Sequence, residues 1–252
     1  MKGLNVQRIR QKMDKIIREA LEFLFPSNIY CICCNDFINR EQPYALCPSC
    51  VRKLHWIVGL TCPKCGKTVT EEGLCSDCLL TFRYFDQGIS CVQYGKLEKD
   101  IIHKFKYHDG AYIGKKLAQL MMERLEVEDF SIDAIVSVPM FLEKEKSRGY
   151  NQATVLAKEL SRLIEIQYIN NLLIRNRNTV PMSELSAEER IRNVKNAFTI
   201  NENYYNIVQD KIILLVDDVY TTGNTVNECS RILKECGAGK VYVLTFASGV
   251  GK

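Results

Sequence analysis

The chain has 252 residues, enough for one good-sized core and a smaller accompanying unit. At 46% hydrophobic and 25% charged residues it has the balance of a folded globular protein, which excludes a disordered or fibrous chain. The formal charge is +4, so bulk charge gives little support to a nucleic-acid-binding role, and only local patches can argue it.

The first stretch, "MKGLNVQRIRQKMDKIIREALEFLFP", places Val6, Ile9, Met13, Ile16, Ile17, Ala20, Leu21 and Leu24 at helical spacing with basic residues between them. It predicts an amphipathic helix over 5–25, ended by Pro26. Charge recurs too often for a signal-peptide core or for a span of about 20 apolar residues, so the chain reads as cytoplasmic with no membrane span. Any inner-membrane association would be peripheral, through a partner.

Twelve cysteines follow an unusual pattern for a cytosolic chain. Eight form Cys-x-x-Cys pairs: Cys31/Cys34, Cys47/Cys50, Cys62/Cys65 and Cys75/Cys78. A reducing compartment disfavours disulfides, so repeated pairs point to metal ligation. Gaps of twelve and nine residues suit ribbon-type zinc sites, in which two tight knuckles complete a tetrahedron. The simplest assignment gives one zinc to Cys31, Cys34, Cys47 and Cys50 and the second to Cys62, Cys65, Cys75 and Cys78. The spacing also permits an interleaved arrangement, or Cys33 in place of a neighbour. The zinc module is expected over 28–85. On this reading a Cys65→Ser exchange unfolds that module and leaves 88–252 folded. Eight thiolates with two Zn²⁺ would bring the net charge to about zero. Cys229 and Cys236, seven apart on an expected helix, read as buried packing residues. Beside the second knuckle, Arg52, Lys53, His55 and Trp56 combine cations with a stacking surface that could grip a nucleic acid. Alternatively, Trp56 covers a knuckle and the cations are solvated.

From about 88 the pattern changes. Strands are expected at 88–94, 132–138, 212–216 and 240–246, and helices at 96–106, 112–126, 151–166 and from about Gly223 to Cys236, with Gly237 as the stop. Strands alternating with helices predict an α/β domain over 86–252 whose mostly parallel sheet is covered on both faces.

The stretch "LLVDDVYTTGNTV" carries the chemistry. A fully apolar strand ends in Asp217 and Asp218, and a loop of Thr221, Thr222, Gly223, Asn224 and Thr225 opens the next helix. Hydroxyls and backbone N–H groups at a helix start suit a phosphate monoester, and paired carboxylates suit vicinal sugar hydroxyls. A sugar 5-phosphate satisfies both.

That stretch resembles the ribose-phosphate fingerprint of the type I phosphoribosyltransferases. The chain as a whole resembles their ComF/ComFC branch, competence-associated members with an N-terminal zinc module. "FKYHDG" (105–110), "VPMFLEKEKSRGYNQA" (138–153) and "LIRNRNTVPMSELSAEERIRNVKNAF" (173–198) follow in the branch's order. The resemblance implies that Asp217 and Asp218 hold the ribose hydroxyls and that Thr221, Thr222, Gly223, Asn224 and Thr225 cradle the 5-phosphate. It places a pyrophosphate loop at Ser137, Val138, Pro139 and Met140, with Arg148 and Lys106 adding charge. Arg175, Arg177 and Arg190 would belong to a mobile cover over 175–195, and Mg²⁺ would ride on the pyrophosphate of phosphoribosyl pyrophosphate. Two departures stand out: Met182 where the branch commonly has glutamine, and Glu143 and Glu145 diluting the charge after the pyrophosphate loop.

The function implied is a competence-type accessory role in the uptake and processing of single-stranded transforming DNA, with a pocket for phosphoribosyl pyrophosphate or ribose 5-phosphate. Proteins of the DNA-uptake machinery are the implied partners. Two other readings stay open: an active phosphoribosyltransferase on an unknown nucleobase, amine or nucleic-acid acceptor, and a zinc-built interaction module that only senses the sugar phosphate. No catalytic residue is assigned.

Overall fold

A computed structural model describes residues 29–107, 110–178, 189, 192 and 194–250. The expected helix over 5–25, Met182 and Arg190 lie outside the described residues. The chain divides into two compact units, Met1–Arg52 and Lys53–Lys252.

The described part of the first unit is a single zinc-ribbon half. Cys31 opens a knuckle in which its carbonyl accepts from the Asn35 N–H at 2.9 Å and its N–H donates to the Asp36 carbonyl at 2.8 Å. The second knuckle leads into α1 (Pro48–Lys53). Cys31, Ile32, Ala45, Leu46 and Cys50 are buried, and too few apolar residues accompany them to hold the fold unaided.

The second unit is built on a four-stranded parallel sheet in the order β1-β6-β5-β2: β1 (Gln87–Gln93), β2 (Ala134–Ser137), β5 (Ile212–Tyr220) and β6 (Lys240–Ser248). Leu214, Leu215 and Val216 are fully buried, as a central parallel strand requires. Between β1 and β2 run α3 (Lys96–Tyr107) and α4 (Gly110–Glu126), with α2 (Ser76–Leu80) earlier in the ribbon. After β2 come α5 (Leu142–Arg148) and α6 (Gln152–Ile164), and α7 (Asn224–Glu235) joins β5 to β6. Each long helix turns one face inward at helical spacing. Ala153, Leu156, Ala157 and Leu160 do so on α6, and Val226, Cys229, Ile232 and Leu233 on α7. Burying such a side chain contributes roughly 1.5–3 kcal/mol. A small antiparallel pair, β3 (Leu173–Arg175) with β4 (Phe198–Ile200), stands apart from the main sheet.

Two expectations need correction here. The strand at 212–216 runs on to Tyr220, because β6 continues beside it and pairs Asp217 with Thr245 and Tyr220 with Ser248. The acids therefore lie within a strand rather than in the loop that follows it. Nor does the second ribbon stand apart from the sheet. Cys62, Cys65 and Cys75 belong to the same buried cluster as Phe85, Tyr220, Val226, Cys229 and Val243. The Cys65–Gly66 knuckle lies against β1 at Gly88, where a side chain on Gly66 would strike the Gly88 carbonyl. The Gly88 N–H donates to the Lys64 carbonyl at 2.8 Å, and Gln93 Nε2 to Thr68 Oγ1 at 2.8 Å. Residues 55–57 cover the free edge of β1, with Gln93 N–H donating to the His55 carbonyl and Ile57 N–H to the Cys91 carbonyl. Loss of the second cluster is therefore expected to reach 88–252.

Candidate functional site: an acidic and cationic cleft

Pairing of β2 with β5 ends at Ser137 opposite Val216. Beyond that point β2 ends while β5 continues, and Asp217 and Asp218 of β5 lie at the mouth of the opening, just past the carboxyl end of β2. An open cleft encloses about 610 Å³, solvent included, bounded by Lys106, Val138–Met140, Lys144, Arg148, Gln152, Arg175, the two acids and Thr225.

One acid is half-buried and the other is paired. Asp217 is held well above the usual carboxylate range, first by burial and then by the charge of Asp218. Its Oδ1 accepts from the Asp218 N–H at 2.9 Å. Asp218 Oδ2 lies 2.7 Å from Lys106 Nζ. Burial pulls the Lys106 ammonium down, but Asp218 and then Asp217 outweigh it, so the net shift is upward. The opposite wall is cationic. Arg148 Nη1 donates to Gln152 Oε1 at 2.7 Å, and its guanidinium lies 5.2 Å from the centre of the Tyr107 ring. Arg175 stacks on Phe198 at 5.3 Å. Four cations thus face two acids, one of which resists ionisation, and this balance favours an anion.

Two helix starts serve the cleft. Asn151 caps α6 by accepting from the Ala153 N–H at 3.1 Å, while its amide donates to the Val138 carbonyl at 2.9 Å and so ties down the 138–140 loop. At α7 the cap position is Gly223, in the left-handed conformation (φ 77°), with no side-chain cap of its own. Its first-turn N–H groups suit an anion. Tyr220 folds back beneath this glycine, where any Cβ would collide with the tyrosine hydroxyl.

Among the residues predicted from sequence, Lys106, Val138, Pro139, Met140, Arg148, Arg175, Asp217, Asp218 and Thr225 border this cleft. Thr221, Thr222, Gly223 and Asn224 form the adjoining turn and helix start. Ser137 does not join them. Its hydroxyl is 3.1 Å from Thr154 Oγ1 and 2.9 Å from Tyr168 Oη, and it borders a neighbouring cavity instead. Arg175, expected on a mobile cover, is part of β3, and Arg177 reaches back to the Lys195 carbonyl at 3.1 Å. In the zinc-side group, Arg52 and Lys53 are exposed, His55 Nδ1 lies 3.1 Å from the buried Glu98, and Trp56 bridges to Val92 through its backbone. Lys144, Asn151 and Gln152 were missed. An asparagine directly before a helical pattern is a cap signal, and it was the one available cue.

The cysteines form two groups of four, Cys31/Cys34/Cys47/Cys50 and Cys62/Cys65/Cys75/Cys78, each with its sulfurs within 4.8 Å of one another. The sulfurs of Cys34 and Cys47 are 3.7 Å apart and those of Cys65 and Cys75 3.6 Å. A ZnS₄ tetrahedron with bonds of about 2.3 Å has edges of about 3.8 Å, whereas a disulfide needs about 2.05 Å. Backbone N–H groups of Cys47 and Cys75 donate to Cys31 Sγ and Cys62 Sγ at 3.3 and 3.4 Å, as thiolate ligands require. The residues fit two structural zinc ions.

Comparison with known proteins agrees with this geometry. The family described as "Double zinc ribbon domain" matches residues 20–79, and "Phosphoribosyl transferase domain" matches 106–250. "Competence protein F" of Haemophilus influenzae is 31% identical over 231 residues, covering 86% of this chain and 95% of that protein. The chain belongs to the ComF family. "DNA utilization protein YhgH" of Escherichia coli K12 is 32% identical, over 79% of this chain and 88% of the relative. "Competence protein ComFC" of Bacillus subtilis is 28% identical, over 76% and 79%. This ComF-family chain therefore combines a double zinc ribbon with a phosphoribosyltransferase-type α/β domain. Among the described residues, no helix is long and apolar enough to cross a membrane.

Proposed function

We propose that the protein is a competence-associated accessory factor for incoming single-stranded DNA, and that its cleft binds phosphoribosyl pyrophosphate or ribose 5-phosphate. The observation that carries the ligand assignment is the acid pair at the mouth of the β2/β5 split, facing Lys106, Arg148 and Arg175 beside an uncapped helix start. In this reading Asp217 and Asp218 accept from the ribose hydroxyls, and Lys106 gives up part of its hold on Asp218 as the sugar arrives. The turn from Thr221 to Thr225 takes the 5-phosphate. Val138–Met140, Arg148 and Arg175 take the pyrophosphate, with Mg²⁺ neutralising its charge. The DNA role is supported by the names of the relatives, "Competence protein F" and "DNA utilization protein YhgH".

Transfer to an acceptor receives less support. The neighbouring cavity, bordered by Ser137, Thr154, Asn170, Asn171 and Asn201, shares Pro139, Met140 and Arg175 with the cleft. It therefore lies on the pyrophosphate side, whereas an in-line nucleophile must approach from the face opposite the leaving group.

Calorimetry with ribose 5-phosphate, and with phosphoribosyl pyrophosphate plus and minus Mg²⁺, tests the cleft. Asp217→Asn with Asp218→Asn is expected to cost at least about tenfold in affinity, since a charged hydrogen bond is worth roughly 1.5–3 kcal/mol. Equal affinity in the double variant would remove the assignment. Titration with single-stranded DNA tests the other half of the proposal.

A further inference from the structure

The second cysteine cluster and the phosphate turn are joined by contacts that converge on that turn from two directions. From below, the Tyr220 ring is 98% buried and meets Phe85 edge-on at 6.2 Å, while Lys67 Nζ of the second ribbon lies 5.6 Å from its centre. The Tyr220 hydroxyl has no hydrogen-bond partner among the described residues and sits directly under Gly223. Packing rather than a hydrogen bond therefore holds the glycine turn to the ring. From the side, the segment leaving Cys78 is pinned to the first turn of α7. Asn227 Oδ1 accepts from the Tyr84 N–H at 2.7 Å, and Asn227 Nδ2 donates to the Phe82 carbonyl at 3.1 Å. The ribbon itself is fixed by its sulfurs, three of which lie in the same buried cluster as Tyr220.

Resting on the reading of the cleft as a ribose-phosphate site, we infer that the second zinc ribbon is a positioning element for ligand binding. It sets the phosphate turn through Tyr220 beneath Gly223 and through the Asn227 tie to residues 82–84. The first ribbon, in the other compact unit, is the internal control. Coupling between two sites is reciprocal, so a ligand that depends on the ordered turn must in return stabilise the metal at the second cluster.

The test uses the full chain with both zinc ions. Release of zinc into an excess of a chromogenic chelator is followed with and without saturating ribose 5-phosphate, and Cys34→Ser identifies the phase that belongs to the first cluster. Release from the second cluster is expected to slow at least fivefold with the sugar phosphate, and release from the first to stay unchanged. Asn227→Ala touches neither a sulfur nor a cleft side chain. It is expected to keep two zinc ions, weaken ribose 5-phosphate binding about fivefold and reduce the protection, and Asn227→Asp, which keeps the acceptor for Tyr84, is expected to restore part of both. Equal protection of both clusters, or of neither, in a protein that binds the sugar phosphate would overturn the inference. If ribose 5-phosphate does not bind, the reading of the cleft fails by itself, and amide exchange decides the coupling without a ligand. Faster exchange at 220–225 in Asn227→Ala supports it, and unchanged exchange refutes it.

Discussion

The two ribbons use the same chemistry in different surroundings. The first holds Cys31, Cys34, Cys47 and Cys50 in a compact unit ending at Arg52, and Cys34 is exposed. In the second, Cys62, Cys65 and Cys75 are at most 3% exposed, and the basic side chains of Lys67 and Arg83 are buried within the same unit. Lys67 Nζ pairs with Asp77 at 2.8 Å. A ZnS₄ centre carries two negative charges, which water can solvate at a surface but which must meet cations in an interior. The ligand set therefore gives no indication of what a zinc site supports, and the difference lies in what packs around it.

The sharpest way to break this comparison is to remove one ligand from each ribbon. A structural zinc contributes on the order of 10 kcal/mol to the fold that depends on it. Cys65→Ser is expected to lose one zinc and to lower the melting of the sheet unit drastically, whereas Cys34→Ser is expected to lose one zinc and leave that melting unchanged. Calorimetry with zinc analysis reads both, and an unaltered sheet transition in Cys65→Ser would show that the shared core does not couple them.

A smaller effect decides which region meets DNA. If the zinc side grips bases, Trp56→Ala should cost about 1–3 kcal/mol in single-strand affinity. If Arg175, Arg177, Arg190, Arg192 and Lys195 meet the strand instead, Arg175→Ala with Arg177→Ala should flatten the salt dependence, since each phosphate contact on a single strand contributes about −0.7 to the log–log slope. Arg52→Ala in the first unit separates the two units in the same assay. No measurable affinity at low salt in the unaltered protein would leave both regions without a DNA role.

The smallest effect concerns the cleft alone. The folded state holds Asp217 above its usual range, so its contribution to stability is fully present below the unfolded carboxylate pKa and is lost as pH rises through the folded one. Asp217→Asn is therefore expected to melt higher than the unaltered protein at neutral pH by about 2–4 °C, the shift that about 1 kcal/mol produces in a unit of this size. Its advantage should shrink as pH falls. If the same exchange weakens ribose 5-phosphate binding, the acid is retained for function at a cost in stability. Thermal melts at several pH values check the sign.

Sequence alone made the two Cys₄ groups and the acid pair legible, because each is a local pattern with a chemical meaning. The parallel sheet was legible for the same reason, through apolar runs such as 212–216 alternating with helical spacing. What it could not give was proximity across the chain. The 2.7 Å approach of Lys106 to Asp218 spans over a hundred residues, and the FKYHDG block places the Lys106 charge near the site without naming Asp218 as its partner. Ser137 looked like part of the pyrophosphate loop until the alternation of β2 turned its hydroxyl toward Tyr168. The seat of the second ribbon was hidden because it depends on two glycines, Gly66 and Gly88, whose meaning is the absence of a side chain at a contact.

Gly88 also bears on how the molecule can be dissected. It leaves a notch in the strand, and the Cys65 carbonyl lies 3.1 Å from where its Cβ would be, close enough to crowd it. A fragment that begins at 86 would keep every cleft residue yet open this notch and, by losing Phe85, uncover the Tyr220 ring that Phe85 meets edge-on in the intact chain. One that begins at Lys53 keeps both covered. Limited proteolysis should therefore find its durable product near residue 53, and a shorter fragment of the sheet alone should need detergent or a second chain to stay in solution.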